Sequence, residues 1–398
     1  MAPHKLAVSD HAPTTRPQDL ELPQPRVANA QAEQTRIIPV AMAADLNYAK
    51  PMSVAITSLL ENSGTDTSYD LKILVAEEYP AEVRDQILSF ENRYPGNTIT
   101  FVVVDGFADV KVSTSHLTAP AYFRLKLPDL FLDVDKIIYL DVDTVIESDL
   151  SPLYAQDVND VYVAAVPAAV YHLRSAEAAR AMGIPSFDRY VNSGVMVMNL
   201  EKMREDGLVE QFLELSAKEF DSDDQDIINI VCYDGLRHLP LRFNLMTKYG
   251  PKNVEEFWSR PAVQRVWSRD EYDEAMSSPV IIHFADKRKP WMDVSADFAE
   301  RWWQYAAMSP MCAEIVATYL ADAVAQAAGT ASAVRKRLRS RVVTLEQELQ
   351  GRDQELADTR GSVSFRIGSL MTSGPRVIRN SLKRDVRWSQ PRARVIEK

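Results

Sequence analysis

From Ile37 onward, apolar residues fall in short continuous runs separated by amphipathic stretches. That pattern marks strands buried on both faces alternating with helices. Residues 37–42 predict a buried strand, followed by a loop at 43–48 and a helix over about 51–61 that begins on Pro51. A proline is tolerated there because a first-turn N–H has no intrahelical partner. Residues 71–75, 99–104 and 136–140 predict further strands, with a helix over 81–94 between the first two. Beyond a strand at 161–166 the regularity weakens. A strand at 194–199, a helix over 201–220, a helix over 224–232, a short strand at 280–284 and an aromatic-rich helix over 296–308 follow. The class is α/β, with ligands expected at the carboxyl ends of the strands.

The remaining segments differ in kind. Leu338, Val342, Leu345, Leu349 and Leu356 follow 4-3-4-7 spacing interrupted by Arg352. This predicts an amphipathic helix suited to a short coiled coil, with homo-oligomerisation through 335–357 as one expectation. After Gly374-Pro375, the stretch 376–388 sets Val377, Ile378, Leu382 and Val386 on one face among Arg376, Arg379, Lys383, Arg384 and Arg387. Such a helix either lies on an anionic membrane surface or packs on a neighbour. Residues 1–35, rich in Pro, Ala, Gln and charge and without an apolar signal core, read as a disordered leader. The expected organisation is a leader at 1–35, a catalytic domain at 36–310, a helical segment at 311–360 and a basic tail at 361–398.

Charge sharpens this division. The net charge of −11 hides a tail from Ala331 with 16 Lys+Arg against 7 Asp+Glu, which leaves −20 for residues 1–330. An acidic body argues against nucleic acid as its partner, and the basic tail permits peripheral contact with a membrane. Cys232 and Cys312 lie far apart without metal-ligand spacing, so no disulfide framework is expected and a cytoplasmic setting is the simplest. No apolar run reaches the roughly 18 residues of a membrane-spanning helix.

Six stretches carry candidate chemistry. Asp141-Val142-Asp143 delivers two carboxylates from the end of a predicted apolar strand. Hard oxygen ligands there suit Mn²⁺ or Mg²⁺, whereas by itself the pair reads more readily as an ordinary acidic loop than as a site. Ala44, Asp45, Asn47 and Tyr48 follow the first strand where a dinucleotide fold would carry Gly-x-Gly-x-x-Gly. A carboxylate, an amide and an aromatic ring suit a nucleoside; Asp45 or Asn47 capping a helix is the alternative. In an amphipathic helix predicted over 122–127, Arg124 and Lys126 face a diphosphate or the acidic site, with a surface charge pair as the alternative, more so for Lys126 than for Arg124. Tyr190-Val191-Asn192-Ser193-Gly194 places an amide and a glycine turn before a strand, and Asp223-Asp224-Gln225-Asp226 opens a helix with three acids. Helix-terminal charge accounts for one or two of these acids. Finally, His283 ends a short apolar strand ahead of Asp286, Lys287, Arg288 and Lys289, where an imidazole nitrogen can complete an oxygen-rich metal site.

Together these resemble glycosyltransferase family 8, the retaining UDP-sugar transferases that include bacterial lipopolysaccharide galactosyl- and glucosyltransferases. Ala43-Ala44-Asp45-Leu46-Asn47-Tyr48, Arg124-Leu125-Lys126-Leu127, Tyr139-Leu140-Asp141-Val142-Asp143, Asn192-Ser193-Gly194-Val195, Asp224-Gln225-Asp226-Ile227, Arg242-Phe243-Asn244 and His283-Phe284 with Lys289-Pro290-Trp291 occur in family order. The resemblance implies a GT-A-type Rossmann-like mixed sheet flanked by helices, and hexose transfer with retention from UDP-galactose or UDP-glucose to a glycan or lipid-linked acceptor. It implies that Asp141, Asp143 and His283 hold Mn²⁺ and that Ala44, Asp45, Asn47, Tyr48, Val142 and Lys289 bind the nucleotide. Arg124, Asn192, Asp224 and Gln225 would surround the sugar, with Asp224, Gln225 and Arg124 as catalytic candidates. Asp286 stands where the family often has glycine, and Pro167-Ala168-Ala169 where many members carry an acid. The alternative is a nucleotide-sugar-binding protein that kept the fold with weak activity. A nucleotidyltransferase would need a Gly-rich phosphate loop, and a glycosidase needs more widely separated carboxylates.

Overall fold

A computed structural model describes residues 36–105, 120–249, 254–328 and most positions between 341 and 350. Its strands are β1 (Arg36–Ala43), β2 (Thr67–Val75), β3 (Thr98–Val103), β4 (Lys136–Leu140), β5 (Thr144–Ile146), β6 (Val163–Pro167), β7 (Val191–Asn199), β8 (Leu236–His238), β9 (Leu245–Met246) and β10 (Ile281–His283). Seven form one sheet in the order β3-β2-β1-β4-β7-β6-β8. The β3 to β4 portion is parallel, and β7 runs antiparallel to both neighbours, so the sheet is mixed. Helices Ala49–Glu61 and Ala81–Arg93 are the crossovers that parallel pairing requires.

Side chains alternate along β1 as the pleat dictates. Ile38, Val40 and Met42 enter one core with Ile138, Leu140, Val195 and Trp302, while Ala41 and Ala43 enter the other with Tyr139, Met196 and Met198. Both faces are therefore covered, as continuous apolar strands require. Helix Ala49–Glu61 is almost wholly buried and is tied to the C-terminal part of the body through Ser53 Oγ and Ser309 Oγ, 2.8 Å apart.

A second sheet, β5-β10-β9, sits where β4 ends. In it β10 runs antiparallel to β5, with His283 opposite Thr144. That register sets a histidine beside residues 141–143 of the preceding turn.

Three local expectations change. The stretch 122–127 is helical but not one regular amphipathic helix: a 3-10 turn, Arg124–Lys126, joins the one-turn helices Pro120–Phe123 and Leu127–Leu130, with Pro128 in the first turn of the last. The predicted helix over 201–220 divides into Leu200–Glu205 and Leu208–Ser216 at Gly207, whose φ of 64° is left-handed. Strand β7 starts at Val191, so Asn192 and Gly194 lie inside a strand and not in a turn before it. Helix Cys312–Ala328 follows the body, with Ile315 in the first core and the Tyr319 ring 5.3 Å from that of Trp303. Val342, Leu345 and Leu349 are half-buried; Leu338, Leu356, the leader and the tail at 361–398 lie outside the described residues. Among the described residues, no helix is long and apolar enough to cross a membrane.

Candidate functional site

Asp141 and Asp143 leave β4 on a turn held by backbone bonds to two other strands. The Asp141 N–H donates to Gly194 O at 2.7 Å, and Phe284 N–H donates to Asp143 O at 2.9 Å. Val142, between them, turns into the apolar core at 6% exposure, so both acids point to the same side. His283 Nε2 lies 3.7 Å from Asp141 Oδ2 and 3.2 Å from Asp143 Oδ1. One ligand atom from each of the three residues can be chosen so that all lie within 4.8 Å of one another.

Gly194 makes this approach possible. A Cβ on it would stand 2.2 Å from His283 Cε1 and 2.7 Å from Asp141 Oδ2, so a side chain would occupy the cluster itself. Two carboxylates and an imidazole nitrogen around that cradle fit a hard divalent cation such as Mn²⁺ or Mg²⁺.

Cations close the cluster on two sides. Lys289 Nζ donates to Asp143 Oδ2 at 2.6 Å and to Phe284 O. Burial pushes the Asp143 carboxyl up, but Lys289 and His283 outweigh it and hold it well below the usual range. Burial likewise lowers Lys289, and Asp143 more than reverses this. On the other side Arg124 is a fork between two acids. Its Nη2 donates to Asp141 Oδ1 at 2.8 Å, its Nε lies 3.2 Å from Asp224 Oδ2, and its Nη1 donates to Ser193 O at 2.7 Å. The guanidinium lies over the Tyr139 ring, 4.2 Å from its centroid. Asp224, enclosed, is pushed up to about 7 by burial, against the pull of Arg124 and with Asp141 and Asp223 adding to the rise. Asp223, at the start of that helix, is buried, has a φ of 43° and accepts from Tyr122 Oη at 3.1 Å.

Gln225 is held on both ends of its amide. Asn192 Nδ2 donates to its Oε1 at 2.8 Å, while its Nε2 donates to Tyr190 Oη at 3.1 Å. Asn192 Oδ1 in turn accepts from Asn244 Nδ2 at 2.8 Å, and Asn244 Oδ1 stands 3.0 Å from His283 Nδ1.

The loop after β1 lies on the Lys289 side. Tyr48 meets the Trp291 ring edge-on at 6.1 Å between centroids. Burial pushes its hydroxyl pKa up; Lys289 lowers it, and the nearby Asp143, Asp45 and Asp141 raise it. Asp45 Oδ1 caps the turn by accepting from Tyr48 N at 3.1 Å, Asn47 is exposed, and Ala44 is buried with its carbonyl accepting from Tyr79 Oη at 3.0 Å.

Several cations turn away from the cluster: Lys126 Nζ donates to Asp105 O at 2.6 Å, and Arg288 pairs with Asp293 at 2.8 Å. Asp286, exposed, accepts from Lys287 N–H. Pro167 ends β6, and Ala168 and Ala169 are buried beyond it. The site residues expected from sequence include neither Gly194 nor Asn244. The only signals were the Asn-Ser-Gly-Val and Arg-Phe-Asn motifs, which give order and no role.

A mixed sheet with an acid, acid and histidine cluster at the carboxyl end of its central strand has the architecture of the GT-A-fold glycosyltransferases. The chain matches the model of Glycosyl transferase family 8 over residues 39–295 and belongs to that family. General stress protein A of Bacillus subtilis (strain 168) is 29% identical over 266 residues, which are 64% of this chain and 87% of that protein. Galactosyltransferase LgtC, solved with donor and acceptor sugar analogues, superposes with a TM-score of 0.57 at 26% identity, covering 68% of this chain and 96% of LgtC. WbbM, a bifunctional glycosyltransferase solved in its apo form, gives 0.61 at 26% identity, over 70% of this chain; the chain spans 51% of WbbM's length.

Proposed function

We propose that the protein transfers a hexose, galactose or glucose, from a UDP-sugar to a glycan or glycolipid acceptor with retention at the anomeric carbon, using Mn²⁺ or Mg²⁺. The observation that carries this reading is the convergence of Asp141, Asp143 and His283 from two sheets onto one cradle opened by Gly194. A cation held there would act as a Lewis acid toward the departing diphosphate.

The chain's own residues do the rest. Arg124 and Lys289 supply fixed positive charge on opposite sides of the cluster, where no reorganisation is needed as negative charge builds on the leaving group. Tyr48 and Trp291 offer aromatic surface for the base, with Asp45 and Asn47 at the same mouth. Asn192, Asp224 and Gln225 line the sugar side. Asp224 is a poor nucleophile for a covalent route, because it is buried, paired with Arg124 and pushed up to about 7. Front-face substitution fits better: the acceptor hydroxyl attacks from the leaving group's side and a phosphate oxygen takes its proton.

A donor panel with purified protein, reading UDP release with and without Mn²⁺ and with the His283→Ala variant, tests the reading. Release that is insensitive to both metal removal and the substitution would sink it. Retained turnover in Asp224→Ala would exclude the covalent route. The tail at 361–398 is proposed to hold the enzyme peripherally on the inner face of the membrane near a lipid-linked acceptor, and 335–357 to join copies of the chain. Unchanged membrane recovery and an unchanged number of copies per particle by sedimentation equilibrium, after deletion of 331–398, would overturn both.

A further inference from the structure

His283 offers the cluster its Nε2, and whether that nitrogen carries a lone pair or a proton is decided elsewhere. Asn192 Oδ1 accepts the backbone N–H of Gly194 at 3.1 Å. A backbone N–H can only donate, so the oxygen of the Asn192 amide is placed without ambiguity. The Asn244 group facing it at 2.8 Å must then be the NH₂, which turns Asn244 Oδ1 toward His283 Nδ1 at 3.0 Å. An amide oxygen only accepts, so Nδ1 bears a ring proton, and in the neutral imidazole Nε2 is the nitrogen whose lone pair is offered to a cation between Asp141 and Asp143.

The same polarity runs the other way. Asn192 Nδ2 donates to Gln225 Oε1, which also accepts the Ser193 backbone N–H at 3.3 Å, a second obligate donor. Gln225 Nε2 therefore donates to Tyr190 Oη, and Tyr190 donates to Asp226, whose other oxygen accepts from Ser222 N at 2.8 Å. Asn244 and Tyr190 are fully buried, so bulk water does not replace these bonds.

We propose that Asn244 and Asn192 are positioning residues that join the imidazole of His283 to the amide of Gln225 in one directional hydrogen-bond chain. Cation affinity and the orientation of the sugar-side amide are thereby set together. The inference rests on the metal reading above and adds to it a role for Asn244, which lines neither the cation cluster nor the sugar side, and a second role for Asn192.

The test compares wild type, Asn244→Ala and Asn244→Asp, titrating Mn²⁺ with and without UDP and reading free Mn²⁺ by electron paramagnetic resonance, alongside kcat, donor KM and melting. Asn244→Ala loses the acceptor for Nδ1–H and is expected to weaken Mn²⁺ binding roughly 10- to 100-fold. Asn244→Asp keeps that acceptor but loses the donor to Asn192; its Mn²⁺ affinity stays within about threefold of wild type or rises, while kcat falls at least roughly tenfold. A purely structural role predicts lowered melting in both variants with Mn²⁺ binding unmoved. That result, or equal loss of Mn²⁺ affinity in the two variants, overturns the proposal. Absence of Mn²⁺ binding by wild type itself, with or without UDP, would instead overturn the metal reading.

Discussion

The loops that follow β1 and β4 leave neighbouring strands of one sheet at the same end, yet they are held in opposite ways. After β1 the polar contacts are few: Asp45 caps a turn three residues on, Tyr79 ties two carbonyls, and Asn47 is left exposed. After β4 the carboxylates are bound by charged groups from other parts of the chain. Asp141 bonds Arg124, 17 positions away, and Asp143 bonds Lys289, 146 positions away. A loop held by so few polar bonds can be redrawn by a ligand at small cost. A cluster whose members come from four elements keeps its geometry only while all of them stay packed, which suits a site whose electrostatics must be in place before reaction.

Breaking the loop after β4 should therefore cost activity, and breaking the loop after β1 should cost mainly affinity. The largest effect is expected of His283→Ala: transfer falls by roughly a thousandfold or more, with melting within a few degrees of wild type. Next comes Gly194→Ala, where the added methyl meets His283 and Asp141. It should abolish measurable Mn²⁺ binding and destabilise by about 1–3 kcal/mol in chemical denaturation. A functional Gly194→Ala would show that the cluster is not held as tightly as the comparison requires.

A smaller effect concerns pH. Asp224 rises from 3.8 to about 7 on folding, so between those values the folded protein keeps a proton that the unfolded chain has released. Its contribution is full below the unfolded value and is lost as pH rises through about 7. In metal-free protein, the melting temperature of wild type minus that of Asp224→Asn should fall between about pH 4 and about pH 7 and level off above. A flat difference would remove the argument that Asp224 is held back from ionising. The smallest effect is expected of Asp45→Ala. Loss of the cap should cost about 1 kcal/mol and raise donor KM severalfold, with Mn²⁺ binding unchanged. An equally large loss of kcat would erase the distinction between the two loops.

Much of the fold was legible because its signals are local. A run such as Lys136–Leu140 reads as a buried strand from five residues, and the 81–94 periodicity needs no partner to be seen. The failures were local conflicts resolved by context. Residues 122–127 carry a helical pattern, but the packing of Arg124 between Asp141 and Asp224 and the proline at 128 break it into short helical turns. The Asn-Ser-Gly segment reads as a turn because glycine usually marks one. In the folded chain it extends β7, and glycine is needed for the nearness of His283.

By itself, then, the sequence determined the alternation of strands and helices, the acidic body and basic tail, and the residue types able to bind a cation and a nucleotide. These follow from side-chain chemistry and from periods of two to four residues. Only the tertiary structure decided that His283 stands opposite Thr144, that Gly194 leaves room for His283 beside Asp141, and that Asn244 points its oxygen at the imidazole. Each of these depends on strand register and on hydrogen-bond partners tens to more than a hundred residues apart, set by the packing of two sheets and not by any local run of sequence.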